Sequence, residues 1–192
     1  MKYIVSKHCG FCSGVKRAVE SAYKNAGENT VTYGELIHNK IVVDKLAEKG
    51  VTAVNDISQC IGKKVIVRSH GAGKDFFDKA SALGIEVIDA TCPFVKKIHD
   101  IVYRHYIDGY HIAIIGKAGH PEVEGTNGWC ENTASIVDDE KAAEALVHFE
   151  RVCFVTQTTY LLEKYLRILK KIRKLPFKTV EIFNTICYTT IS

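Results

Sequence analysis

Three cysteines in this chain lie at, or just past, the end of a short apolar segment: Cys12, Cys92 and Cys187. The segments before the last two share a pattern of Glu, two apolar residues and then Asp or Asn, at 86–89 and 181–184. A sheet fixes the position of a strand end, and the following loop leaves a side chain there open to a ligand. Three converging thiolates can hold an iron–sulfur cluster by three corners and leave the fourth iron free for chemistry. A structural zinc site would instead use four protein ligands.

The first of these cysteines belongs to a Cys-x-x-Cys pair formed by Cys9 and Cys12. Taken alone, such a pair indicates a redox dithiol or half of a zinc site. The chain has no second Cys-x-x-Cys pair, which weakens the zinc interpretation. We favour Cys12 as the cluster ligand, with Cys9 as the alternative, because the N-terminus of the predicted helix that follows would favour a thiolate.

Three histidines lie in polar, Gly-rich turns just beyond apolar segments: His38, His70 and His120. In an open α/β sheet, ligands bind at the carboxyl ends of the strands. Three imidazoles that converge there would suit a diphosphate, through hydrogen bonds and partial positive charge. The other histidines lack this context and are interpreted as structural: His8, His99, His105, His111 and His148.

A candidate proton donor follows the third histidine. Glu122 lies two residues after His120, and its ordinary interpretation is a surface carboxylate. Its functional interpretation is a general acid that supplies protons to a bound substrate, with Glu124 as the competitor. Residues 156–159, Thr-Gln-Thr-Thr, would ordinarily cap a helix. A threonine hydroxyl at this turn, such as that of Thr158, could also relay a proton or bind a substrate alcohol.

The composition describes an ordinary globular chain of 192 residues, 46% hydrophobic and 25% charged. The net charge of +4 is compatible with a small anionic substrate and is a poor argument for nucleic acid. No apolar run approaches membrane-spanning length, and the N-terminus lacks the pattern of a signal peptide. With seven cysteines, these features favour a reducing cytoplasm in which thiols are kept for metal.

Strand-like and helix-like segments alternate along the chain, which predicts an α/β fold. The predicted strands lie at 3–5, 31–33, 64–68, 86–91, 111–115, 135–137, 152–155 and 181–186. The predicted helices lie near 14–22, 42–47, 74–83, 93–107, 138–146 and 161–174, and 117 to about 133 is predicted as a loop.

The elements form two copies of one unit, at 1–92 and 93–192, and each copy ends on or near a cluster cysteine. We expect the strand ends of both units to converge on a central iron–sulfur site. A third unit would begin after Cys187, and the sequence ends at Ser192 without it.

Seven segments, taken in order along the chain, resemble 4-hydroxy-3-methylbut-2-enyl diphosphate reductases. They include His-Cys-Gly-Phe-Cys-Ser-Gly-Val-Lys-Arg-Ala, Asp-Ala-Thr-Cys-Pro and Gly-His-Pro-Glu-Val-Glu-Gly-Thr. Their positions are 8–18, 35–40, 68–73, 89–93, 119–126, 156–159 and 185–188. The resemblance implies three similar α/β units around a central [4Fe-4S] cluster bound by three cysteines.

The resemblance also implies roles for particular residues: cluster ligands Cys12, Cys92 and Cys187, diphosphate-binding His38, His70 and His120, proton-delivering Glu122 and substrate-contacting Thr158. The implied reaction is a reductive dehydration at the end of the non-mevalonate isoprenoid pathway. Two electrons arrive singly from ferredoxin or flavodoxin, water leaves, and isopentenyl and dimethylallyl diphosphate form.

One departure from the family affects the expected activity. Members continue well past the third cysteine into a unit that also binds the diphosphate, so we expect a truncated or partial member with impaired turnover. Two alternatives follow: a non-redox hydro-lyase with an open iron, and a non-catalytic remnant that binds a cluster or a diphosphate. A zinc-binding module is the weakest alternative, because only three well-placed thiols are available.

Overall fold

The computed structural model describes residues 10–190, which form two parallel four-stranded sheets with helices between the strands. The first sheet has the order β2-β1-β3-β4, with β1 Thr30–Tyr33, β2 Thr52–Val54, β3 Lys64–Val67 and β4 Glu86–Asp89. The second has the order β6-β5-β7-β8, with β5 His111–Ile115, β6 Ser135–Val137, β7 Arg151–Thr156 and β8 Thr179–Ile182. The strand expected at 3–5 lies outside the described residues.

The α-helices of the described chain are α1 Ser13–Lys24, α2 Lys40–Ala47, α3 Lys74–Ala82, α4 Pro93–Ile107, α5 Pro121–Asn127, α6 Glu140–Glu144 and α7 Leu162–Ile172. Short 3₁₀ turns lie at Ile57–Cys60, Gly128–Cys130 and Tyr188–Thr190. Two predictions of local structure were wrong. The segment from 117 to 133, predicted as a loop, contains α5, and β2 was not predicted because it is short and mostly exposed.

The first sheet is covered on both faces, and the side chains of β3 alternate between them. Ile66 packs with Ala18 and Ala22 of α1, whereas Val65 and Val67 pack with Phe76 of α3 and its neighbours. This period-two alternation is that of a strand buried on both faces, which is why the segment is a continuous run of Val and Ile.

The second sheet repeats the arrangement with other residues. Ile112 and Ile114 of β5 pack against Ile98 of α4, while Ala113 and Ile115 face the side of the sheet covered by α6 and α7. The two units therefore share strand order, parallel pairing and helices on both faces. The proposed boundary between 92 and 93 remains a prediction.

Glycines let the two units approach closely. A Cβ on Gly128 would lie 2.5 Å from the Cα of Gly73, and one on Gly125 would lie 3.4 Å from the carbonyl carbon of Gly71. The indole Nε1 of Trp129 also donates a hydrogen bond of 3.0 Å to the carbonyl of Ala72. The turn after β3 is thereby held against α5, so the two loops that carry His70 and His120 become neighbours.

None of the helices described between residues 10 and 190 has the length and apolar character needed to cross a membrane.

Candidate functional site

The three predicted cluster cysteines line one cavity of about 110 Å³. Cys12 is exposed, and Cys92 and Cys187 are half-buried. His70, Glu122 and Thr158 line the same cavity, together with apolar side chains such as those of Val15 and Phe94. The structure therefore brings together six of the eight predicted site residues around one space, and His38 and His120 lie beside it.

Equivalent backbone contacts place Cys92 and Cys187. The amide of Cys92 donates to the carbonyl of Ser69, two residues past β3, at 2.9 Å. The amide of Cys187 donates to the carbonyl of Thr158, two residues past β7, at 2.8 Å. Each cysteine is thus fixed to the loop that follows the neighbouring strand of its own sheet.

The Asp or Asn that precedes each of these cysteines shapes the connecting loop. The Asp89 carboxylate accepts the amide of Thr91 at 3.0 Å, and the Asn184 side chain accepts the amide of Ile186 at 3.3 Å. Both are turns in which a short polar side chain accepts an N–H two residues later. This gives a physical reason for the pattern shared by the two segments: each strand needs such a turn to direct its loop into the cavity.

Cys12 and Cys92 are the N-cap residues of α1 and α4. The two helices are joined at this end, because the guanidinium of Arg17 on α1 donates to the carbonyl of Thr91. Gly14 allows the approach, since a Cβ there would lie 2.7 Å from the Sγ of Cys92. Sequence reasoning missed Arg17, an exposed residue whose partner is 74 positions away.

We expect Gly14→Ala to reduce cluster incorporation although it removes no ligand. The new methyl group would push the Cys92 side chain away or tilt α1, and either change separates two of the three thiols. Gly27→Ala is the matched control, because a Cβ there meets no atom within 4 Å. Iron and sulfide content after anaerobic reconstitution measures the effect. Equal iron content in the two variants would contradict the close contact between Gly14 and Cys92.

The three cysteines line one cavity, and the kind of metal centre they could hold depends on how far apart their sulfurs lie. Within residues 10–190, no three His, Cys, Asp or Glu side chains are close enough together to hold one metal ion. The ligands of a cluster bind different irons, so their sulfurs lie further apart than ligands that share an ion. Three thiols around a common cavity are compatible with the first arrangement. Cys9, the alternative to Cys12, lies outside the described residues.

The three predicted histidines form a cluster. The ring centroids of His38 and His70 are 4.5 Å apart, and that of His120 lies 6.1 Å from His38 and 5.9 Å from His70. Buried Leu36 and Ile37 anchor the turn that presents His38. The structure thus brings together three imidazoles from three different loops.

Burial disfavours protonation of two rings of the histidine cluster, those of His70 and His120. Burial, assisted by the neighbouring His38, Arg68 and His120, lowers the pKa of His70 to about 3. Burial and His38 also lower the pKa of His120. The Nδ1 of His120 accepts the amide of Glu122 at 3.1 Å, so in the neutral ring the proton is on Nε2. A bound anion would offset the free-energy cost of protonating these imidazoles, which makes the histidine cluster suited to a negatively charged ligand.

Glu122 is buried, 2% exposed, in the first turn of α5. Its carboxylate accepts two hydrogen bonds from Thr158, at 2.5 Å from the amide and 2.6 Å from the hydroxyl. The interpretation of Glu122 as a surface carboxylate was therefore wrong, because α5 turns the side chain inward. Glu124 is exposed instead.

Burial raises the pKa of Glu122, and the hydrogen bonds from Thr158 oppose that shift. A carboxyl group with a raised pKa holds its proton nearer to neutral pH and can act as a general acid. The Glu122 side chain thus combines a proton source, a fixed orientation and access to the cavity that the cysteines line.

The cysteines outside the cavity that the structure describes are core residues. Cys60, Cys130 and Cys153 are each 0% exposed. Burial raises the pKa of Cys130 to about 11 and that of Cys153 to about 12, so both remain thiols at neutral pH. They have the properties of small apolar side chains, as the sequence predicted.

The sheet topology agrees with what comparison with known proteins shows. The chain belongs to the LytB protein family, whose model matches residues 3–192. The predicted α/β fold, with two of three expected units, is confirmed by this match and by the solved structures that resemble it.

The relatives with curated names share one description. The chain is 45% identical to the 4-hydroxy-3-methylbut-2-enyl diphosphate reductase of Thermoanaerobacter sp. strain X514, over 99% of this chain and 68% of that protein. It is 42% identical to the reductase of Clostridioides difficile, over 99% of this chain and 70% of that protein. The family predicted from the seven sequence segments is thus confirmed.

Among solved structures, the reductase of Plasmodium falciparum superposes with a TM-score of 0.86 at 30% identity. The alignment covers 96% of this chain and 60% of the Plasmodium chain. A second structure, described as the terminal enzyme of the non-mevalonate pathway, gives a TM-score of 0.80 at 35% identity and is 67% covered. This chain therefore spans about two thirds of the length of its relatives.

Proposed function

We propose that this chain carries the cluster and proton-donor site of a 4-hydroxy-3-methylbut-2-enyl diphosphate reductase. The proposed reaction is the reductive dehydration of that substrate to isopentenyl and dimethylallyl diphosphate. The observation that carries the proposal is the shared cavity: three cysteines, a buried carboxyl group with a raised pKa and a histidine of the diphosphate cluster all line it. The names of the relatives support the same reaction.

In this proposal Cys12, Cys92 and Cys187 hold a [4Fe-4S] cluster. A cluster bound there would supply the two electrons, one at a time, and an open Lewis-acidic iron for the substrate hydroxyl. The apolar side chains of Val15, Phe94 and Val95 line the same cavity and would limit access of water to it.

The histidine cluster would hold the diphosphate end of the substrate. The Nε2–H of His120 is oriented by the cap that the ring forms at α5, and it can donate to a phosphate oxygen. His70 lines the cavity and also faces the other two rings, so it lies between the cavity and the anion site. A substrate with a diphosphate at one end and a hydroxyl at the other would extend from the histidine cluster into the cavity that the cysteines line.

The reaction consumes two electrons and two protons. One proton leaves with the hydroxyl as water when the C–O bond breaks, and the other adds to carbon to complete the product. Glu122 and Thr158 together form a proton-donating pair at the cavity wall, because the hydroxyl of Thr158 lies 2.6 Å from the carboxyl of Glu122. We assign the protonated Glu122 as the general acid and Thr158 as the residue that orients it.

The proposal includes a ferredoxin or flavodoxin as the electron donor, an allylic diphosphate as the small-molecule partner, and no nucleic acid or membrane partner. It also includes a reducing cytoplasm as the setting, since the thiols must remain free for the cluster.

The test is reductant consumption by the anaerobically reconstituted chain. We expect two equivalents of reduced methyl viologen to be oxidised for each 4-hydroxy-3-methylbut-2-enyl diphosphate, with both isomeric products detected by mass spectrometry. Consumption of substrate without reductant would indicate the hydro-lyase instead. Binding of substrate without any consumption of reductant would indicate the non-catalytic remnant.

A further inference from the structure

We infer that Arg68 is a further diphosphate-binding residue, which supplies the fixed positive charge of the anion site that the three histidines form. The inference rests on the proposed function, and it concerns a side chain to which neither the sequence motifs nor the histidine cluster gave a role. Arg68 follows β3 directly and precedes His70 by two residues.

The side chain of Arg68 spans the two loops that present His38 and His70. Its Nε donates a hydrogen bond of 3.4 Å to the carbonyl of Gly71, in the turn that contains His70. Its guanidinium lies across the backbone of Gly34, at the start of the loop that leads to His38. A Cβ on Gly34 would lie 2.5 Å from Nη1 and 3.1 Å from Cζ, so only a glycine leaves room for the guanidinium there.

The guanidinium also lies within electrostatic range of two of the histidines. Its positive charge contributes to the lowered pKa values of both His70 and His120. Because the guanidinium disfavours protonation of both imidazoles, the three groups share one electrostatic environment. An anion placed between the three residues would interact favourably with all of them.

The guanidinium of Arg68 forms no ion pair with a carboxylate of the described residues. No carboxylate in the described range 10–190 lies within ion-pair distance of its guanidinium, although the side chain is half-buried. Burial lowers the pKa of Arg68, and the phenol of Tyr33 opposes that shift. A half-buried cation without a partner costs free energy, which an anionic ligand would offset.

The histidines alone do not supply the charge that a diphosphate requires. Since the pKa of His70 is about 3 and that of His120 is lowered, these rings enter the site as neutral hydrogen-bonding groups at pH 7. A guanidinium remains protonated throughout the accessible pH range and can donate two parallel hydrogen bonds to phosphate oxygens. Arg68 therefore provides the permanent charge, and the imidazoles provide direction.

Inorganic pyrophosphate is the probe that tests this inference, with affinity measured by calorimetry at constant ionic strength. We expect Arg68→Gln to weaken pyrophosphate binding about 10- to 100-fold, as expected for loss of a charge-assisted hydrogen bond. Arg68→Lys, which keeps the charge but not the planar fork, should weaken binding less. His70→Asn serves as the reference for loss of the histidine cluster.

Lys117→Gln is the matched control. Lys117 is an exposed cation whose charge also reaches His120, so its loss changes the net charge near the site by the same amount. We expect Lys117→Gln to have a much smaller effect than Arg68→Gln. Equal losses of pyrophosphate affinity in the two variants would indicate a general effect of net charge and not direct contact by Arg68. That result would overturn the inference.

The outcomes separate this inference from the proposed function. If Arg68→Gln binds pyrophosphate like the wild type while His70→Asn binds it weakly, the anion site stands and the role of Arg68 is wrong. If the wild type binds no pyrophosphate, both the anion site and the role of Arg68 are wrong.

A measurement on the wild type covers the case in which Arg68→Gln fails to fold. The Nε–H resonance of Arg68, assigned with Arg68→Lys, should shift on addition of pyrophosphate, and an unchanged resonance would also overturn the inference.

Discussion

Replacement of Cys92 by serine is expected to abolish cluster incorporation into this chain. Cys92 lies between the other two ligands in the sequence, lines the cavity they share, and is fixed by the carbonyl of Ser69. Loss of an outer-shell partner typically costs about 10- to 100-fold in metal affinity, and loss of one of only three ligands should cost more. Iron and sulfide content after anaerobic reconstitution, with the visible absorption of the cluster, gives the measurement.

Cys60→Ser is the control for that experiment. Cys60 is buried in the core of the first unit, away from the cavity, and its thiol faces the carbonyl of Asp56 at 3.7 Å. A serine hydroxyl can donate to the same carbonyl, so this variant should fold and take up iron normally. If Cys92→Ser contains as much iron as Cys60→Ser, the assignment of Cys92 as a ligand is wrong.

Glu122→Gln is expected to keep the cluster and to lose about 10²- to 10⁴-fold in turnover, the range typical for removal of a general acid. A glutamine side chain can still accept the amide of Thr158 through its oxygen, so the cavity wall should keep its shape. What the variant lacks is a proton that it can donate. The rate of viologen oxidation with substrate measures the loss, and Glu124→Gln, exposed in the same turn, is the control.

The same pair of variants tests the raised pKa of Glu122. A carboxyl group whose pKa is higher in the folded than in the unfolded state contributes stability that is fully present below its unfolded value. That stability is lost as the pH rises through the folded pKa. The melting temperature of Glu122→Gln relative to the wild type should therefore be higher at pH 7 than at pH 4. Normal turnover in this variant, or a difference in melting temperature that does not vary with pH, would remove Glu122 from the proposed role.

Much of the fold could be predicted because its elements carry strong local signals. A run of Val and Ile in 64–67, a proline at the first turn of α4 and the apolar face of α1 each identify one element. The segment 117–133 was harder, because α5 is a short helix with a glycine inside it and a sequence typical of a turn. It is held by tertiary contacts, both within its own unit through Val123 and with the other unit through Gly125, and a local pattern does not contain these contacts.

The sequence was sufficient to predict some residues of the candidate site and not others. Residue type and position past a strand end were sufficient to select the cysteines and histidines that the structure brings together. The burial of Glu122 was not predicted, because it depends on the direction in which α5 leaves His120. Arg17 and Arg68 lie inside the segments 8–18 and 68–73, but neither was assigned a role from the sequence. An arginine in a sequence looks the same whether it faces solvent or reaches across to another loop.

The contact between Gly73 and Gly128 has a consequence for how an anion would act on the whole molecule. His70 lies on one side of that contact and His120 on the other, so a phosphate held by both rings becomes a cross-link between the halves of the protein. Whatever separates the halves must then also release the phosphate, and the phosphate in turn resists their separation. If the proposed anion site holds the substrate, changes at this pair of glycines should alter substrate affinity, and a bound phosphate should in turn stabilise the junction.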